Sequence, residues 1–286
     1  MHDIQRIAVI GAGTMGRGIA QNAATAGIDV VLVDAVPAAL SAAVASIASM
    51  LDKLVEKGKA APAERDAAIA RIATAGALAD GVARAGLVIE AVPESIELKE
   101  KIFAEIDRAA PREAILASNT SSLPIARIAR ATRRADRVIG MHFFNPVPLM
   151  PLLEIVRAEE TSEETCAAAV GLAKRLGKDP IVVRDTPGFA TSRLGVLLGL
   201  EAIRMLEAGV ASAEDIDKAM TLGYKHPMGP LRLTDLVGLD VRLAIAEHLH
   251  RELASEAFAP PALLRRMVAE GALGKKSGRG FYSWDA

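Results

Sequence analysis

The sequence predicts an α/β protein: a doubly wound, mostly parallel sheet comes first, and an all-helical region follows. Up to about residue 185, short apolar runs alternate with segments of helical periodicity, which is typical of a sheet covered by helices on both faces. After the DTPG segment at residues 185–188, the remaining apolar residues follow helical spacing. We therefore expect one domain over residues 1–186 and a second, helical domain over residues 187–286.

Seven apolar segments of the first domain are predicted strands, because most are near-continuous runs of the kind found in a buried parallel sheet. They are RIAVIGA, DVVLVD, GLVIEAV, AILAS, RVIGMHF, LLEIV and PIVVRD. After the second segment, residues 37–58 carry apolar side chains every three or four positions, which predicts a helix ending at Gly58. These side chains are Leu40, Val44, Ile47, Leu51 and Leu54.

The second domain is predicted to consist of helices separated by breakers such as HPMGP. Apolar periodicity indicates a long helix over residues 189–208 and shorter helices near residues 240–253 and 261–270. The SAED segment at residues 212–215 has the form of a capping box, which opens a further helix. Because the long helix has more apolar side chains than a small bundle buries on one face, we expect a homodimer formed largely through this domain.

Composition places the chain among globular proteins, since 51% of its 286 residues are hydrophobic and 24% are charged. A formal net charge of −1 and 3% aromatic residues give no drive toward nucleic acid or an anionic membrane. The single cysteine, Cys166, excludes an intrachain disulfide and lies in a helical pattern that predicts a core position. We expect no membrane span, because no apolar run approaches the required length, and no signal peptide, so the expected location is the cytoplasm.

Three glycines follow the first predicted strand in the pattern G-x-G-x-x-G and open a helix. This context makes the pattern the fingerprint of a Rossmann-type dinucleotide site, although a glycine turn in an unrelated α/β protein is the alternative. The glycines allow a tight turn, approach of the pyrophosphate and close helix–strand packing, while the helix N-terminus offers free N–H groups. The expected cofactor contacts in this loop are Gly11, Gly13, Thr14, Met15 and Gly16.

Asp34 ends the second predicted strand, where the fingerprint places an acidic residue. A carboxylate at this position accepts hydrogen bonds from both ribose hydroxyls and repels a 2′-phosphate. We therefore expect NAD, rather than NADP, as the cofactor. The alternative is that Asp34 is a solvated residue at the end of a strand.

The segment GMHFFNPVPLMPLLEIV at residues 140–156 contains two ionisable side chains, His142 and Glu154. Taken alone, this segment is explained equally well by a histidine satisfied in the core and by a catalytic pair. A nicotinamide cofactor favours the pair, because ligands of open α/β sheets lie at the carboxyl ends of strands, where His142 stands. The expected chemistry is alcohol oxidation, in which the histidine takes the hydroxyl proton and the carboxylate orients and stabilises the ring.

Several motifs together resemble the L-3-hydroxyacyl-CoA dehydrogenase family over essentially the whole chain, most closely its short bacterial members that use 3-hydroxybutyryl-CoA. They are GAGTMGRGIA, ASNTSSLPI, HFFNPVPLMPLLEIV, DTPGF, GYKHPMGPLRLTDLVGLD and LGKKSGRGFYSW. The resemblance implies a Rossmann-type domain followed by a helical domain. It also implies NAD-dependent oxidation of the 3-hydroxyl of a 3-hydroxyacyl-CoA to the 3-keto form, or the reverse. No metal is implied.

The resemblance assigns roles to residues around the reacting groups. It makes His142 the base, Glu154 its orienting acid and Ser121 a group that binds the substrate oxygen. Asn145 matches an asparagine near nicotinamide and substrate, so Ser121 and Asn145 are both expected to lie close to the cofactor as well. The local alternatives are a turn or helix-cap serine at 121 and an Asn-Pro turn at 145.

Further charged residues receive binding roles from the same resemblance. Glu94, Lys99 and Lys276 match cofactor contacts, and Lys53 and Lys57 belong to a helical hairpin that covers the CoA moiety. Lysines four positions apart lie on the same side of a helix and suit phosphates as point charges. The alternative for all five residues is an ordinary solvated charge.

The chain departs from the family at one position of the TPGF segment. The family pattern continues with asparagine and arginine at the seventh and eighth positions of a T-P-G-F-x-x-N-R motif, whereas this chain has Ser192 before Arg193. Ser192 is therefore expected to border the substrate site with a shorter side chain.

Two other functions are alternatives to this interpretation. One is a gulonate-type sugar-acid dehydrogenase on the same scaffold, which the HFFNP segment and the lysine-bearing hairpin disfavour. The other is an NAD-binding structural or lens-type protein without catalysis, which is disfavoured because the four expected active-site residues are all present. Assays of NAD reduction with a 3-hydroxyacyl-CoA and with a sugar acid distinguish these three functions.

Overall fold

The computed structural model divides the chain into two units, and the first is Met1–Asp185. The described residues of this unit form one sheet of eight strands. The structure describes residues 4–284. The strands are β1 (Arg6–Ile10), β2 (Asp29–Val33), β3 (Ile72–Ala75), β4 (Leu87–Glu90), β5 (Ile115–Ser118), β6 (Val138–Phe143), β7 (Leu152–Arg157) and β8 (Asp179–Arg184). Their order in the sheet is β3-β2-β1-β4-β5-β6-β7-β8.

The pairing of these strands confirms the predicted mostly parallel, doubly wound sheet. Neighbouring strands from β3 across to β6 run parallel, β7 pairs antiparallel with β6, and β8 pairs parallel with β7. The strand order reverses between β1 and β4, and ligands of such sheets bind at this kind of reversal. The carboxyl ends of the first six strands therefore lie along one edge of the sheet.

The sequence interpretation missed strand β3, whose sequence is IATA. The strand lies at the end of the sheet, pairs with β2 and has two exposed residues among its four. Because a short edge strand buries little, small and polar residues suffice there, and no apolar run identifies it.

In the part of this unit that the structure describes, the α-helices are α1 (Thr14–Thr25), α2 (Pro37–Glu56), α3 (Pro62–Ala70), α4 (Leu78–Val82), α5 (Ile96–Ala109), α6 (Ile125–Ala129) and α7 (Glu163–Arg175). The core between strands and helices is aliphatic and is formed by residues such as Ile7, Ile19, Leu32, Ile89, Leu153 and Leu172. Cys166 is buried on α7, as predicted, and burial raises the pKa of its thiol.

One helix within residues 4–284, α2, bears on the expectation that no apolar run approaches membrane-spanning length. This helix has 20 residues and a mean hydropathy of 1.5 in its most apolar window, so length and composition alone would permit a span. A single helix of this kind is weak evidence for a membrane span, because a core helix passes the same test, and 22% of this window is buried. Leu40, Ala43, Ile47 and Leu51 of α2 pack into the core of the sheet domain.

The second unit, Thr186–Ala286, is helical in the part that the structure describes. Its α-helices are α8 (Thr191–Glu207), α9 (Ala213–Lys218), α10 (Pro230–Val237), α11 (Leu239–Leu253) and α12 (Ala262–Ala269), with a π-helical turn at Ala219–Gly223. Ser212 caps α9 by accepting a hydrogen bond from the Asp215 N–H at 3.1 Å. The Ser212 hydroxyl donates to the Asp215 carboxylate at 3.0 Å. The serine half of the predicted capping box is therefore present, but the Asp215 carboxylate bonds the Ser212 hydroxyl and not its backbone N–H.

The C-terminal GRGFYSW segment is held by Asp235 of α10. Its carboxylate accepts hydrogen bonds from the N–H groups of Phe281 and Tyr282 at 2.9 Å and from Trp284 Nε1 at 2.8 Å. A Cβ at Gly280 would lie 2.2 Å from Asp235 Oδ1, so this position requires glycine. These residues of the motif therefore stabilise the helical domain.

Candidate active site

The residues predicted to contact ligands in the first unit gather at the carboxyl edge of the parallel strands. The glycine loop follows β1, Asp34 follows β2, Glu94 lies beyond β4, and Ser121 lies beyond β5. His142 lies near the end of β6, and the antiparallel direction of β7 brings Glu154 to the same edge. The fold therefore brings together residues as far apart in sequence as Gly11 and Glu154.

The glycine loop has the geometry that a dinucleotide requires. Gly11 has a φ of 101°, and a Cβ on it would lie 2.8 Å from the Ala91 carbonyl oxygen. A Cβ on Gly16 would lie 1.8 Å from the Gly11 oxygen, which excludes any larger residue. At Gly13 a Cβ would meet nothing within 4 Å, so the loop leaves open space there for a ligand to approach the backbone.

The N-terminus of α1 is open to an anion. Gly13 is its N-cap residue, and within residues 4–284 no side chain caps the helix. Its first N–H groups and the positive end of its dipole therefore face the space beside the loop, where a pyrophosphate fits. Thr14 is exposed, whereas Met15 packs partly against the core.

Asp34 is fixed beside this loop by two backbone hydrogen bonds. Its Oδ2 accepts from the Ala12 N–H at 2.8 Å, and its Oδ1 accepts from the Val36 N–H at 2.9 Å. Each carboxylate oxygen keeps a second lone pair after these bonds, so the group can still accept from hydroxyls of a ribose. The carboxylate is half-buried and contributes a negative charge at the end of β2.

His142 and Glu154 form a buried pair. They are directly opposite in the β6–β7 register, and His142 Nδ1 lies 2.7 Å from Glu154 Oε2. Relative exposures of 5% for the histidine and 0% for the glutamate exclude most water from the pair. An ionised carboxylate only accepts hydrogen bonds, so Nδ1 carries the hydrogen and Nε2 of the neutral ring has the basic lone pair.

The segment after His142 is anchored from two sides. The Phe144 ring lies 4.4 Å from the His142 ring, centroid to centroid. Val147 packs on α1, where a Cβ at Gly18 would lie 3.0 Å from the valine side chain. Lys178 is buried and donates to the Val147 and Met150 carbonyls at 2.5 and 2.9 Å, and burial lowers the pKa of its ammonium. Asn145 is exposed between these anchors.

Glu94 organises the segment that carries Ser121. Its Oε1 accepts hydrogen bonds from the Thr120 hydroxyl at 2.6 Å and from the Ser121 N–H at 2.9 Å. Thr120 Oγ1 in turn accepts from the Leu123 N–H at 2.9 Å. The predicted cofactor contact Glu94 and the predicted substrate contact Ser121 therefore lie side by side.

A buried charged cluster beneath this segment was not predicted from the sequence. Glu90 at the end of β4 is 0% exposed and accepts from Lys99 Nζ and the Ser118 hydroxyl, both at 2.6 Å. Lys99 also lies 3.4 Å from Glu94. The sequence does offer a signal for Glu90, because it is a carboxylate at the end of the otherwise apolar strand LVIE. A buried carboxylate needs a hydrogen-bond or ion-pair partner.

Asn119 is a second residue that the sequence interpretation missed. Its side-chain oxygen accepts from the Phe143 N–H at 2.9 Å, which ties the end of β5 to the end of β6 beside His142. An asparagine within SNTSS gives no sequence signal for this contact, because its partner lies 24 residues away.

The remaining predicted site residues lie elsewhere. Lys53 is exposed in the last turn of α2, and Lys57 is the exposed C-cap residue of the same helix. Lys276 belongs to the second unit, where its Nζ donates to Asp240 at 2.6 Å. Ser192 is half-buried in the first turn of α8, also in the second unit. Among residues 4–284, no cluster of three or more histidine, cysteine or acidic side chains could hold a metal.

The fold and the residues at the carboxyl edge of the sheet together define a nicotinamide-dependent dehydrogenase of the two-domain type. Comparison with known families shows which dehydrogenase family this is. The model described as 3-hydroxyacyl-CoA dehydrogenase, NAD binding domain, matches residues 6–186, and the C-terminal domain of the same family matches residues 188–284. The chain belongs to the 3-hydroxyacyl-CoA dehydrogenase family.

Individual relatives match over nearly their full length. A 3-hydroxybutyryl-CoA dehydrogenase of Mycobacterium tuberculosis is 47% identical, with 98% of this chain and 99% of that protein covered. A probable 3-hydroxybutyryl-CoA dehydrogenase of Bacillus subtilis is also 47% identical, with 99% of this chain and 98% of that protein covered. The crystal structure of (S)-3-hydroxybutyryl-CoA dehydrogenase from Ralstonia eutropha superposes with a TM-score of 0.96 at 47% identity, covering 99% of this chain and 100% of that one.

Proposed function

We propose that the protein catalyses the NAD-dependent oxidation of L-3-hydroxybutyryl-CoA to the 3-keto thioester, and the reverse reaction. The observation that carries this proposal is the buried His142–Glu154 pair, 2.7 Å apart, at the same sheet edge as the glycine loop. A base, an orienting carboxylate and a dinucleotide site along one edge are the parts that alcohol oxidation needs. The names of the relatives support 3-hydroxybutyryl-CoA as the substrate.

In this reaction His142 acts as the general base. Its Nε2 takes the proton of the substrate hydroxyl while the C3–H bond breaks and C3 becomes a carbonyl carbon. NAD, when bound, accepts the hydride from C3. Glu154 holds the imidazole by its Nδ1–H and faces the positive charge that the ring acquires, which stabilises the transition state.

Ser121 and Asn145 are proposed to position the substrate oxygen beside the histidine. Glu94 fixes the backbone at Ser121, and the Val147 and Lys178 contacts fix the segment that carries Asn145. Preorganised donors around a reacting oxygen lower the barrier without rearrangement during the reaction. The buried ion pair of Glu90 and Lys99 stabilises the carboxyl edge of the sheet beneath the segment that carries Ser121.

The residues present fit NAD. Gly11, Gly13 and Gly16 would hold its pyrophosphate against α1, with Thr14 and Met15 in the same turn. The Asp34 carboxylate would accept the hydroxyls of the adenosine ribose and disfavour a 2′-phosphate. Glu94, Lys99 and Lys276 are proposed as further cofactor contacts, with Lys99 acting through Glu94 because its own side chain is buried.

The remaining assignments concern the CoA contacts, the role of the second unit, and the location and metabolic role of the enzyme. Lys53 and Lys57 are exposed on α2 and are proposed to contact CoA phosphates. The helical unit is proposed to complete the substrate site, with Ser192 at its border, and to form a homodimer. We also propose a cytoplasmic enzyme of fatty acid metabolism.

A kinetic series tests this function. NADH formation is measured with L-3-hydroxyacyl-CoA thioesters of increasing chain length, with the D enantiomer of the shortest and with L-gulonate. We expect kcat/KM to be highest for short L thioesters and negligible for gulonate. Turnover of gulonate but not of the thioesters would establish the sugar-acid alternative, and inactivity on all of them at intact NAD affinity would establish a silent NAD-binding protein.

A further inference from the structure

A strongly positive cavity lies in the first unit, where the chain enters strands β5 and β6. It has a volume of about 390 Å³ and lies between the segment that joins α5 to β5 and the segment that leads into β6. The residues that line it are Asp107, Arg108, Ala110, Arg112, Arg133 and Arg134. Because the proposed active site lies at the carboxyl ends of the parallel strands, this cavity is at the opposite edge of the sheet and is separate from that site.

Positive charge in the cavity exceeds negative charge. Four arginines line it together with one carboxylate, that of Asp107, so three positive charges remain unmatched. The carboxylate is 6% exposed and already accepts hydrogen bonds from Arg134 Nε at 2.8 Å and from Arg133 Nε at 3.2 Å. It therefore does not neutralise the other two arginines as well.

The negative end of helix α5 does not account for this excess of arginine. A cation near the last carbonyl groups of a helix is a common stabilising feature, and Arg134 supplies it here. Its Nη2 donates to the Asp107 carbonyl at 2.7 Å, and its Nη1 donates to the Pro111 carbonyl. The Ile106 carbonyl accepts from the Ala110 N–H at 2.8 Å. Arg134 alone thus complements the end of the helix and joins the two segments.

Two of the arginines have no such role. Arg108 and Arg112 are exposed, and within residues 4–284 the side chains of both lack a hydrogen-bond or ion-pair partner. Arg133 is 82% exposed, so most of its guanidinium is open to solvent in spite of its contact with Asp107. Like charges gathered around one cavity repel each other, and an anion bound among them offsets this repulsion.

The size and the chemistry of the cavity indicate a small phosphorylated ligand. A volume of about 390 Å³ is in the range of small-molecule sites. Guanidinium groups offer paired N–H donors that match the oxygens of a phosphoryl group. Among the described residues that line the cavity, Ala110 is the one apolar residue and none is aromatic. An acidic protein surface fits less well, because the centre of a protein interface is usually apolar or aromatic.

We propose that this cavity, which we call the arginine site, binds a ligand through a terminal diphosphate group, as in a nucleoside diphosphate or free pyrophosphate. A terminal phosphoryl group carries about 1.5–2 negative charges at neutral pH, so a diphosphate brings about as much negative charge as the cavity leaves unmatched. The two phosphates of NAD are diesters with a single charge each, and the glycine loop is suited to them through backbone N–H groups. The arginine site is therefore a second anion site, independent of the proposed reaction.

The test is calorimetric titration of the full-length protein saturated with NAD, so that the glycine loop is occupied. We expect pyrophosphate to bind once per chain and at least about tenfold more tightly than inorganic phosphate, because it contacts more guanidinium groups. Combining Arg108→Gln with Arg112→Gln should weaken pyrophosphate binding at least about tenfold. Arg130→Gln is the matched control, because Arg130 is exposed in the same part of the chain and does not line the cavity. It should change the dissociation constant less than about twofold.

A second control concerns the lysines proposed to contact CoA. Lys53→Gln combined with Lys57→Gln removes two exposed charges from α2 and none from the arginine site. Pyrophosphate binding should therefore stay within about twofold of wild type, because separate sites act independently. Binding that is lost in this lysine variant and kept in the double arginine variant would place the anion on α2 and overturn the proposal.

Further outcomes identify the ligand and test the site. ADP that binds more tightly than pyrophosphate would support the arginine site and indicate a nucleotide, whereas equal or weaker binding would support it and indicate free diphosphate. Absence of pyrophosphate binding at about 1 mM, or equal binding by wild type and the double arginine variant, would overturn the proposal. If the double variant does not fold, Arg112→Gln alone is used. It should weaken binding at least about threefold, and an unchanged dissociation constant would overturn the proposal.

Discussion

The imidazole of His142 and the carboxylate of Glu154 face each other across an antiparallel strand pair, with 2.7 Å between Nδ1 and Oε2. Because the antiparallel partner runs back along the sheet, a residue twelve positions later returns to the same edge. The pair is held by the backbone register of two buried strands rather than by flexible loops. This rigidity is what a positioned base requires.

Glu154→Gln tests the carboxylate in this pair. The amide can still bond to the ring but carries no charge to face the imidazolium, so we expect kcat to fall by about 10- to 1000-fold. NAD affinity should stay within about twofold, because the change lies in β7 and not in the glycine loop. Single-turnover kinetics and calorimetry measure the two effects, and a variant with wild-type kcat would remove the carboxylate from the mechanism.

Asp34→Arg tests the cofactor preference. Wild type should bind NAD far better than NADP, because the carboxylate repels a 2′-phosphate, and the arginine should narrow or invert the ratio. Asp34→Ala removes the repulsion of the 2′-phosphate without adding a positive charge, so comparing it with Asp34→Arg separates the lost repulsion from the new attraction. Calorimetric titration with both cofactors gives the result, and equal binding of NAD and NADP by wild type would contradict the assignment of Asp34.

Ser192→Asn restores the residue that the family motif has at this position. A single net hydrogen bond is worth about 0.5–1.5 kcal/mol, which corresponds to about a tenfold change in rate at most. We therefore expect kcat/KM for the short L thioester to change by no more than about tenfold in either direction. An inert wild type that gains turnover through this substitution would show that the serine disables the enzyme.

Asp107 on α5 makes stability depend on acid pH. It is buried, and its carboxylate accepts from Arg134 Nε at 2.8 Å and from the Arg133 backbone and side chain at 3.2 Å. Burial acts to raise the pKa of this carboxyl, but the hydrogen bonds from Arg134 and Arg133 outweigh it and leave the pKa below its ordinary value. A lowered pKa means that the stabilisation is present above the unfolded-state pKa and is lost as pH falls through the folded-state value.

Asp107→Asn should therefore lower the free energy of unfolding by about 1–3 kcal/mol at pH 7, and the difference from wild type should shrink as pH drops below about 4. Urea unfolding at several pH values measures it. Asp66→Asn is the control, because that side chain is 71% exposed and should have an effect below about 0.5 kcal/mol. A pH-independent difference for Asp107→Asn would contradict the assigned cause.

Sequence reasoning identified the parts of the protein that have local signals. The glycine loop, the apolar strands and the helices over residues 37–58 and 189–208 follow from short-range periodicity, and their observed bounds differ by a few residues. Strand β3 was not predicted because a four-residue edge strand with the sequence IATA buries too little to need an apolar run. Helix α10 was not predicted because some of its buried residues, Thr234 and Asp235, are polar. Thr234 donates to the Pro230 carbonyl within the helix, and Asp235 accepts from the distant Phe281 N–H.

The residues of the candidate site likewise divide into those that have a local sequence signal and those that do not. His142 and Glu154 stood out because charges are rare in an apolar segment, and the strand register then explained their spacing. Glu90 gave a weaker signal, a carboxylate at the end of an apolar strand, and Asn119 gave none. Although Lys99 is nine residues from Glu90, the Ser118 partner of Glu90 and the Phe143 partner of Asn119 lie 28 and 24 residues away. Tertiary contacts of this kind cannot be derived from local pattern, although a carboxylate closing an apolar strand is a reason to look for one.

The most direct test of the whole account is the single-turnover rate of NADH formation from L-3-hydroxybutyryl-CoA by wild type and by His142→Ala, with NAD affinity measured in parallel. The base is expected to contribute about 10²- to 10⁴-fold, so the variant should lose that much in rate while it binds NAD within about twofold of wild type. Phe144→Leu, which changes the neighbouring ring and keeps the base, should lose far less. A His142→Ala enzyme that forms NADH at the wild-type rate would contradict the proposed mechanism.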